Sequence, residues 1–260
     1  MRRSLRILHL YPELMNLYGD RGNVLALRAR CRWHGIDPRV ETASLGARID
    51  YGAYDVIVIG GGQDREQRLV SRDLAGDRGH ALAAAVEDGV CLLAVCGAYQ
   101  LLGKYYVTAG GETFPGVGVF DLVTEGGDGR LVGHIAVAAE GGTLAGFENH
   151  GGRTTLGPVA RPLGKVLWGY GNNGRDGTEG AFYRNAFGTY LHGPLLPGNP
   201  WFADRLIALA LERRYGEAEL EVLDDQMDLM AHREVIRQSR LDARRGSVRQ
   251  PGKETGASPR

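Results

Sequence analysis

Two short apolar runs constrain this chain more than anything else in it. Asp55-Val56-Ile57-Val58-Ile59 has no polar residue after its aspartate and ends at Gly60-Gly61-Gly62. Val90 to Val95 is equally apolar and ends at Cys96-Gly97. A strand that is apolar on both faces must be covered on both faces, which fits the centre of a parallel sheet with helices on either side. Around these runs the first 110 residues alternate. Leu5–Leu10 reads as a buried strand, and a helix over Val24–Trp33 is stopped by Gly35. A second strand is expected at 38–43, a helix-rich stretch around Ala81–Val86 ends at Gly89, and a helix is expected from about Ala98 to Tyr106. Strand–helix alternation of this kind implies an α/β fold with right-handed crossovers.

The second half has a different texture. Short strand candidates at 117–123, 131–138, 165–170, 180–184 and 186–191 are divided by Gly-rich turns and read as β-hairpin material extending the sheet. A helix follows at about Pro200–Arg214, and an amphipathic stretch at about 224–243. Residues 1–243 are therefore expected to form one domain. The 244–260 tail carries one aliphatic residue, Val248, among Arg, Gly, Ser and Pro, and is expected to be disordered.

Lys+Arg and Asp+Glu are equal at 31 each in the 260 residues, and only Lys104, Lys165 and Lys253 are lysines. That balance disfavours a nucleic-acid binder that depends on neutralising phosphates; the arginine bias reads as genome composition. The apolar stretch after Met1-Arg2-Arg3 is too short for a signal peptide, and no run approaches the roughly 18 apolar residues of a membrane span. The three cysteines show no disulfide framework and no zinc spacing, so no metal site is expected and a cytoplasmic location with reduced thiols is.

Val95-Cys96-Gly97-Ala98-Tyr99-Gln100 is the segment with chemistry in it. A buried strand that runs into Cys-Gly and then a helix is a nucleophile elbow, exposing one side chain at the carboxyl end of the sheet. The N-terminus of the following helix would draw the thiol pKa down from about 8.5. Cys31 and Cys91, inside elements, read as small buried hydrophobes. A thiolate nucleophile needs a proton carrier. His192, at the end of Ala186–Leu191 and before Gly193-Pro194, is the better placed; His150, in Glu148-Asn149-His150-Gly151-Gly152, is the alternative. The amides of Gly60-Gly61-Gly62-Gln63, at the end of the neighbouring strand, can face the same cleft as the Gly97 amide and would suit an oxyanion hole. No GxxxxGK[ST] motif occurs. Residue chemistry alone reaches a cysteine acyl-transfer enzyme on an α/β sheet.

Five stretches together resemble the class I, triad-type glutamine amidotransferases of the CobB/CobQ-like branch: Leu14–Asn23, Gly60–Asp64, Val95–Gln100, Gly146–Arg153 and Gly188–Pro194. The resemblance spans about residues 5–215 and is stronger still to the free-standing glutaminase subunits that serve a Mur-ligase-like synthetase. It implies a three-layer fold with a largely parallel central sheet. It also implies hydrolysis of L-glutamine through a Cys96 thioester, with His192 as acid and base. Ammonia would pass to the partner, which amidates the D-glutamate α-carboxyl of the lipid II stem peptide. Gly61, Gly62, Gly97, Gln100, Asn149 and His150 then become substrate-binding candidates, and Arg130 falls where that family grips glutamine. A guanidinium matches an α-carboxylate with two parallel hydrogen bonds. No cofactor is expected in this chain; ATP and magnesium belong to the partner. The alternatives are a cobyric acid synthase-type amidotransferase, whose synthetase domain is not seen here, and a catalytically silent binding subunit, which intact Cys96, Gly97, Gln100 and His192 disfavour.

One position departs from the pattern. Triad amidotransferases carry Glu two residues after the catalytic histidine, and here that residue is Pro194. The acid is expected from the partner in preference to a bare Cys–His dyad, with Glu148 or Asp121 as in-chain substitutes.

Overall fold

The computed structural model describes residues 3–216 and 218–244; the 244–260 tail lies outside them but for Arg244. In chain order the strands are β1 (Ser4–Leu10), β2 (Asp37–Ala43), β3 (Val56–Ile59), β4 (Cys91–Val95), β5 (Tyr105–Val107), β6 (Thr113–Pro115), β7 (Leu122–Ala139), β8 (Gly142–Leu156), β9 (Gly164–Trp168), β10 (Thr178–Glu179), β11 (Ala181–Tyr183) and β12 (Ala186–Thr189). The helices are α1 (Arg21–Trp33), α2 (Asp64–Asp73), α3 (Asp77–Glu87), α4 (Gly97–Leu101), α5 (Pro200–Tyr215) and α6 (Gln226–Arg244).

The central sheet has the order β11-β12-β4-β3-β1-β2. It is parallel except for the β11–β12 hairpin at one edge. Every residue of β3 and β4 is buried, as their unbroken apolar sequences require. Register aligns their ends: Leu10 pairs with Ile59, Ile59 with Ala94, and Val95 with Thr189. The carboxyl ends of β1, β3, β4 and β12 therefore open onto one place, and a ligand crevice in an open α/β sheet lies outside such strand ends.

The hairpin material forms a second six-stranded sheet, ordered β10-β9-β7-β5-β6 with β8 paired to β7. Its spine is a long antiparallel hairpin, Leu122–Ala139 against Gly142–Leu156. Residues 142–156 do not read as a strand in the sequence, because glycines and charged residues interrupt their alternation. The pairing partner β7 imposes the strand. The expected helix to Tyr106 is shorter for a similar reason. It stops at Leu101, and Lys104 N–H then donates to Leu122 O at 2.8 Å, which starts β5 in the second sheet.

Among the described residues no helix is long and apolar enough to cross a membrane. Helices α1 and α5 pack on each other and on the central sheet. An ion cluster around the buried Arg30, with two half-buried carboxylates, ties them to the segment before α6. Arg30 Nε and Nη2 donate to the Asp204 carboxylate at 2.5 and 2.6 Å, and Nη1 donates to Asp225 Oδ1 at 2.6 Å. Helix α6 lies across the second sheet, with His134 Nδ1 2.8 Å from Asp242 Oδ2 and His232 Nδ1 donating to Gly198 O at 2.8 Å.

Removing one partner of a buried ion cluster leaves an uncompensated charge. Asp204→Ala leaves Arg30 its second carboxylate, Asp225, and is expected to lower folding stability by about 2 kcal/mol in urea titration. Arg30→Met, which leaves the Asp204 and Asp225 carboxylates without their shared cation, should cost more.

Candidate active site

Cys96 follows β4 with φ 51° and ψ −103°, a conformation rare for any residue bearing a Cβ. Two backbone bonds hold it there: Cys96 N–H donates to Thr189 O at 2.8 Å, and its carbonyl accepts from Gln100 N at 3.0 Å. The strand thus turns abruptly and leaves one side chain at the sheet end. Glycine is required next, since a Cβ on Gly97 would lie 2.9 Å from Gly62 N and 3.0 Å from Gly62 O. The loops after β3 and β4 meet at that contact. Because α4 is only five residues long, its dipole is a small influence on the sulfur, and the charged neighbour that matters is a histidine.

His192 is fixed from both sides. Its backbone bridges to Phe147, with His192 N–H donating to Phe147 O at 2.7 Å and Phe147 N–H to His192 O at 3.2 Å. Its Nδ1 lies 3.2 Å from Asp20 Oδ1, and Asp20 Oδ2 accepts the Gly61 amide at 2.7 Å. Both the His192 and the Asp20 side chains are fully buried. A carboxylate accepts only, so Nδ1 carries a proton and Nε2 is the atom left for chemistry. Nε2 has no hydrogen-bond partner among the described residues. A Cβ placed on Gly61 would stand 3.0 Å from His192 Cε1 and 3.2 Å from Cys96 Cβ, so imidazole and thiol border one gap. Burial works against a charged ring, but the charge of Cys96 and the Asp20 hydrogen bond outweigh it and hold the His192 pKa up to about 10.

The orienting acid is therefore in this chain, and the expectation of an acid from a partner is corrected by Asp20. Neither in-chain substitute named from the sequence reaches His192. Asp121 pairs with Lys104 and accepts Val159 N–H at 3.1 Å. Glu148 accepts the amides of Tyr170 at 2.6 Å and Gly171 at 2.9 Å, and burial pushes its carboxyl up to about 8. Asp20 stands at the N-cap position of α1, where an aspartate ordinarily accepts an amide of its own helix. Here the carboxylate makes no such bond: Asn23 N–H donates to the Asp20 carbonyl at 2.9 Å, Arg21 N–H donates to Asn16 Oδ1 at 2.7 Å, and the carboxylate turns to Gly61 and His192. Pro194 assists by packing: a Cβ on Gly22 would lie 2.2 Å from Pro194 Cγ. The loop after His192 is thus pressed onto the first turn of α1. In the sequence Asp20 looks only like a helix cap in a polar run, and no local signal marks it as the partner of His192.

The cleft in front of Cys96 has a volume of about 730 Å³. Of the expected binding residues, Gly62, Gln100, Arg130 and His150 line it, and Gly61, Gly97 and Asn149 are not among its lining residues. The Gly61 amide is occupied by Asp20, which corrects its expected place in an oxyanion hole; the backbones of Gly62 and Gly97 lie against each other. Gln100 Nε2 donates to Tyr190 Oη at 3.1 Å while its Oε1 has no partner among the described residues. Gln67, which the sequence did not single out, also lines the cleft with an unpartnered Oε1. Arg130 sits in the irregular stretch of β7 between Gly126 and Leu131. Its Nε and Nη2 donate to Asn149 Oδ1 and O at 2.5 and 2.6 Å. His150 stacks on Tyr190 with ring centroids 3.6 Å apart, and its Nδ1 donates to Gly152 O at 2.8 Å. Burial pushes its pKa down to about 3. It is neutral at neutral pH, and its one ring proton is held on Gly152 O.

These histidines yield a pH prediction. The folded-state pKa of His192 lies above its ordinary value of 6.5. Its contribution to stability is therefore full below pH 6.5 and is lost as pH rises through about 10. Asp20→Asn should lower the His192 pKa and move that loss to lower pH, read by histidine NMR titration. An unchanged His192 pKa would remove Asp20 from the site.

A domain described as a CobB/CobQ-like glutamine amidotransferase domain matches residues 6–200. The chain is 41% identical over 234 residues to the GatD subunit of the glutamine-hydrolysing lipid II isoglutaminyl synthase of Staphylococcus aureus, covering 90% of this chain and 95% of that one. It is 42% identical over 217 residues to the same subunit of Streptococcus pneumoniae, covering 82% and 83%. The cobyric acid synthase of Nocardia farcinica is 32% identical over 155 residues, covering 54% of this chain and 29% of that enzyme. On these matches, and with a cysteine elbow facing a buried histidine at the sheet ends, the chain belongs to the CobB/CobQ-like glutamine amidotransferases.

Proposed function

We propose that this amidotransferase is the glutaminase subunit of a lipid II isoglutaminyl synthase. The observation that carries the chemistry is the Cys96–His192–Asp20 arrangement beside the cleft. The likeness to the two GatD subunits, over most of both chains, carries the pathway. The cobyric acid synthase reading is weaker, because that likeness is lower and covers little more than half of this chain.

In this reading Cys96 Sγ attacks the side-chain amide carbon of L-glutamine. The developing oxyanion is held by the Gly62 and Gly97 amides. His192 gives its Nε2 proton to the departing nitrogen, and ammonia leaves. The neutral imidazole then takes a proton from water, which attacks the thioester, and glutamate is released with the thiolate–imidazolium pair restored. Asp20 keeps the ring in the tautomer that allows both transfers. The free edge of Arg130 binds the α-carboxylate, with Gln100 and His150 in the same pocket wall. Ammonia passes to a Mur-ligase-like synthetase in the cytoplasm. That partner holds ATP and magnesium and amidates the D-glutamate α-carboxyl of the stem peptide; this chain uses no cofactor.

Since the acid is in this chain, the isolated protein should release ammonia from glutamine without its partner. Cys96→Ala should lower that rate on the order of 10³–10⁶-fold, and Asp20→Asn on the order of 10⁴-fold. Arg130→Ala should raise KM for glutamine. In the reconstituted complex, Cys96→Ala should stop glutamine-dependent amidation of lipid II, and added ammonium should restore it. A complex in which ammonium fails to restore the amide, or in which Cys96→Ala still uses glutamine, would overturn the assignment.

A further inference from the structure

Tyr18 lies in the Leu14–Asn23 stretch and takes no part in the steps above. Its backbone is left-handed, with φ 58° and ψ 22°, although it carries a large side chain. Such a conformation costs on the order of 1–3 kcal/mol and persists only where its surroundings fix it. The flanking residues do so: Leu17 N–H donates to Gly61 O at 3.0 Å, and Asp20 is held by Gly61 and His192. The turn places the Tyr18 ring edge-on to His192, with centroids 5.0 Å apart, on the wall of the cleft.

The hydroxyl completes a chain of hydrogen bonds whose direction is fixed by its first member. Arg130 can only donate, so Asn149 Oδ1 must face it and accept, at 2.5 Å. The Asn149 amide nitrogen then points the other way and donates to Tyr18 Oη, also at 2.5 Å. Asn149 is pinned between a turn of the first sheet and a bulge of the second. Arg130 in turn spends Nε and one hydrogen of Nη2 on Asn149, which leaves its Nη1–Nη2 edge for a ligand.

We propose that Tyr18 is a positioning residue for the amino-acid substrate: through Asn149 it fixes the Arg130 edge that grips the α-carboxylate of glutamine. This rests on the glutaminase reading above. The same turn that carries Asp20 to His192 thereby sets the substrate grip, so catalytic and binding groups share one backbone constraint.

The test separates grip from chemistry. Tyr18→Phe keeps the ring edge-on to His192 and removes the anchor for Asn149. It should raise KM for glutamine about 5-fold, the effect of one hydrogen bond, with kcat within about 2-fold. For γ-aminobutyramide, which is glutamine without its α-carboxylate, kcat/KM should be the same in both proteins. In an Arg130→Ala background, Tyr18→Phe should add nothing. Equal losses for the two amides, a fall confined to kcat, or full additivity with Arg130→Ala would overturn the proposal. Labelling of Cys96 distinguishes this from failure of the glutaminase reading. If iodoacetamide labels wild-type Cys96 but the glutamine analogue diazo-oxo-norleucine does not, the reading itself fails. If both label it and Tyr18→Phe leaves the concentration dependence of the analogue unchanged, only the positioning role fails.

Discussion

The Asp20 carboxylate is buried, and each of its oxygens holds a different part of the site. One accepts from the imidazole that carries the reaction proton, the other from the amide of Gly61. A buried carboxylate is costly unless its oxygens are satisfied. Satisfying it locks the β1–α1 turn, the loop after β3 and the loop after β12 in one arrangement. Cys96 enters through Gly97, whose backbone lies against Gly62. Much of the geometry around the sulfur therefore follows from where this one side chain finds its partners. The acid has moved from the usual place after the histidine to another loop, and Pro194 occupies the vacated position by packing on Gly22.

Two buried histidines in this region are driven in opposite directions by their surroundings. His192 has a carboxylate on Nδ1 and a cysteine near its ring, and its pKa is raised despite burial. His150 has a backbone carbonyl on Nδ1 and an aromatic ring on its face, and burial lowers its pKa. One is suited to carry a proton and the other to stay neutral. Burial alone does not decide the charge of a histidine; the charged groups that face it decide as well.

The second sheet supplies the substrate side of the cleft. Arg130 and His150 come from β7 and β8, across from the elbow on the central sheet. The long hairpin is anchored to the first sheet by the Phe147–His192 bridge, so the binding wall and the proton carrier share a pair of backbone hydrogen bonds. A site divided between two sheets depends on how firmly they are joined, and the buried bridge provides that join.

The sequence by itself determined the central strands, the elbow and the histidine. Val56–Ile59 and Val90–Val95 are apolar on both faces, which leaves them little choice of environment. The Cys96-Gly97 turn and the His192-Gly193 strand end are local features with local signatures. The extent of β8 and the short α4 were not legible, because strand pairing across the second sheet overrides the propensity of segments such as 142–156. Nor was Asp20. A carboxylate at the start of a helix looks like a cap, and nothing nearby in the chain marks it as the partner of a histidine 172 residues away. Only the alignment of β1, β3, β4 and β12 brings their carboxyl ends together, and only that convergence tells an acid that orients a histidine from one that merely begins a helix.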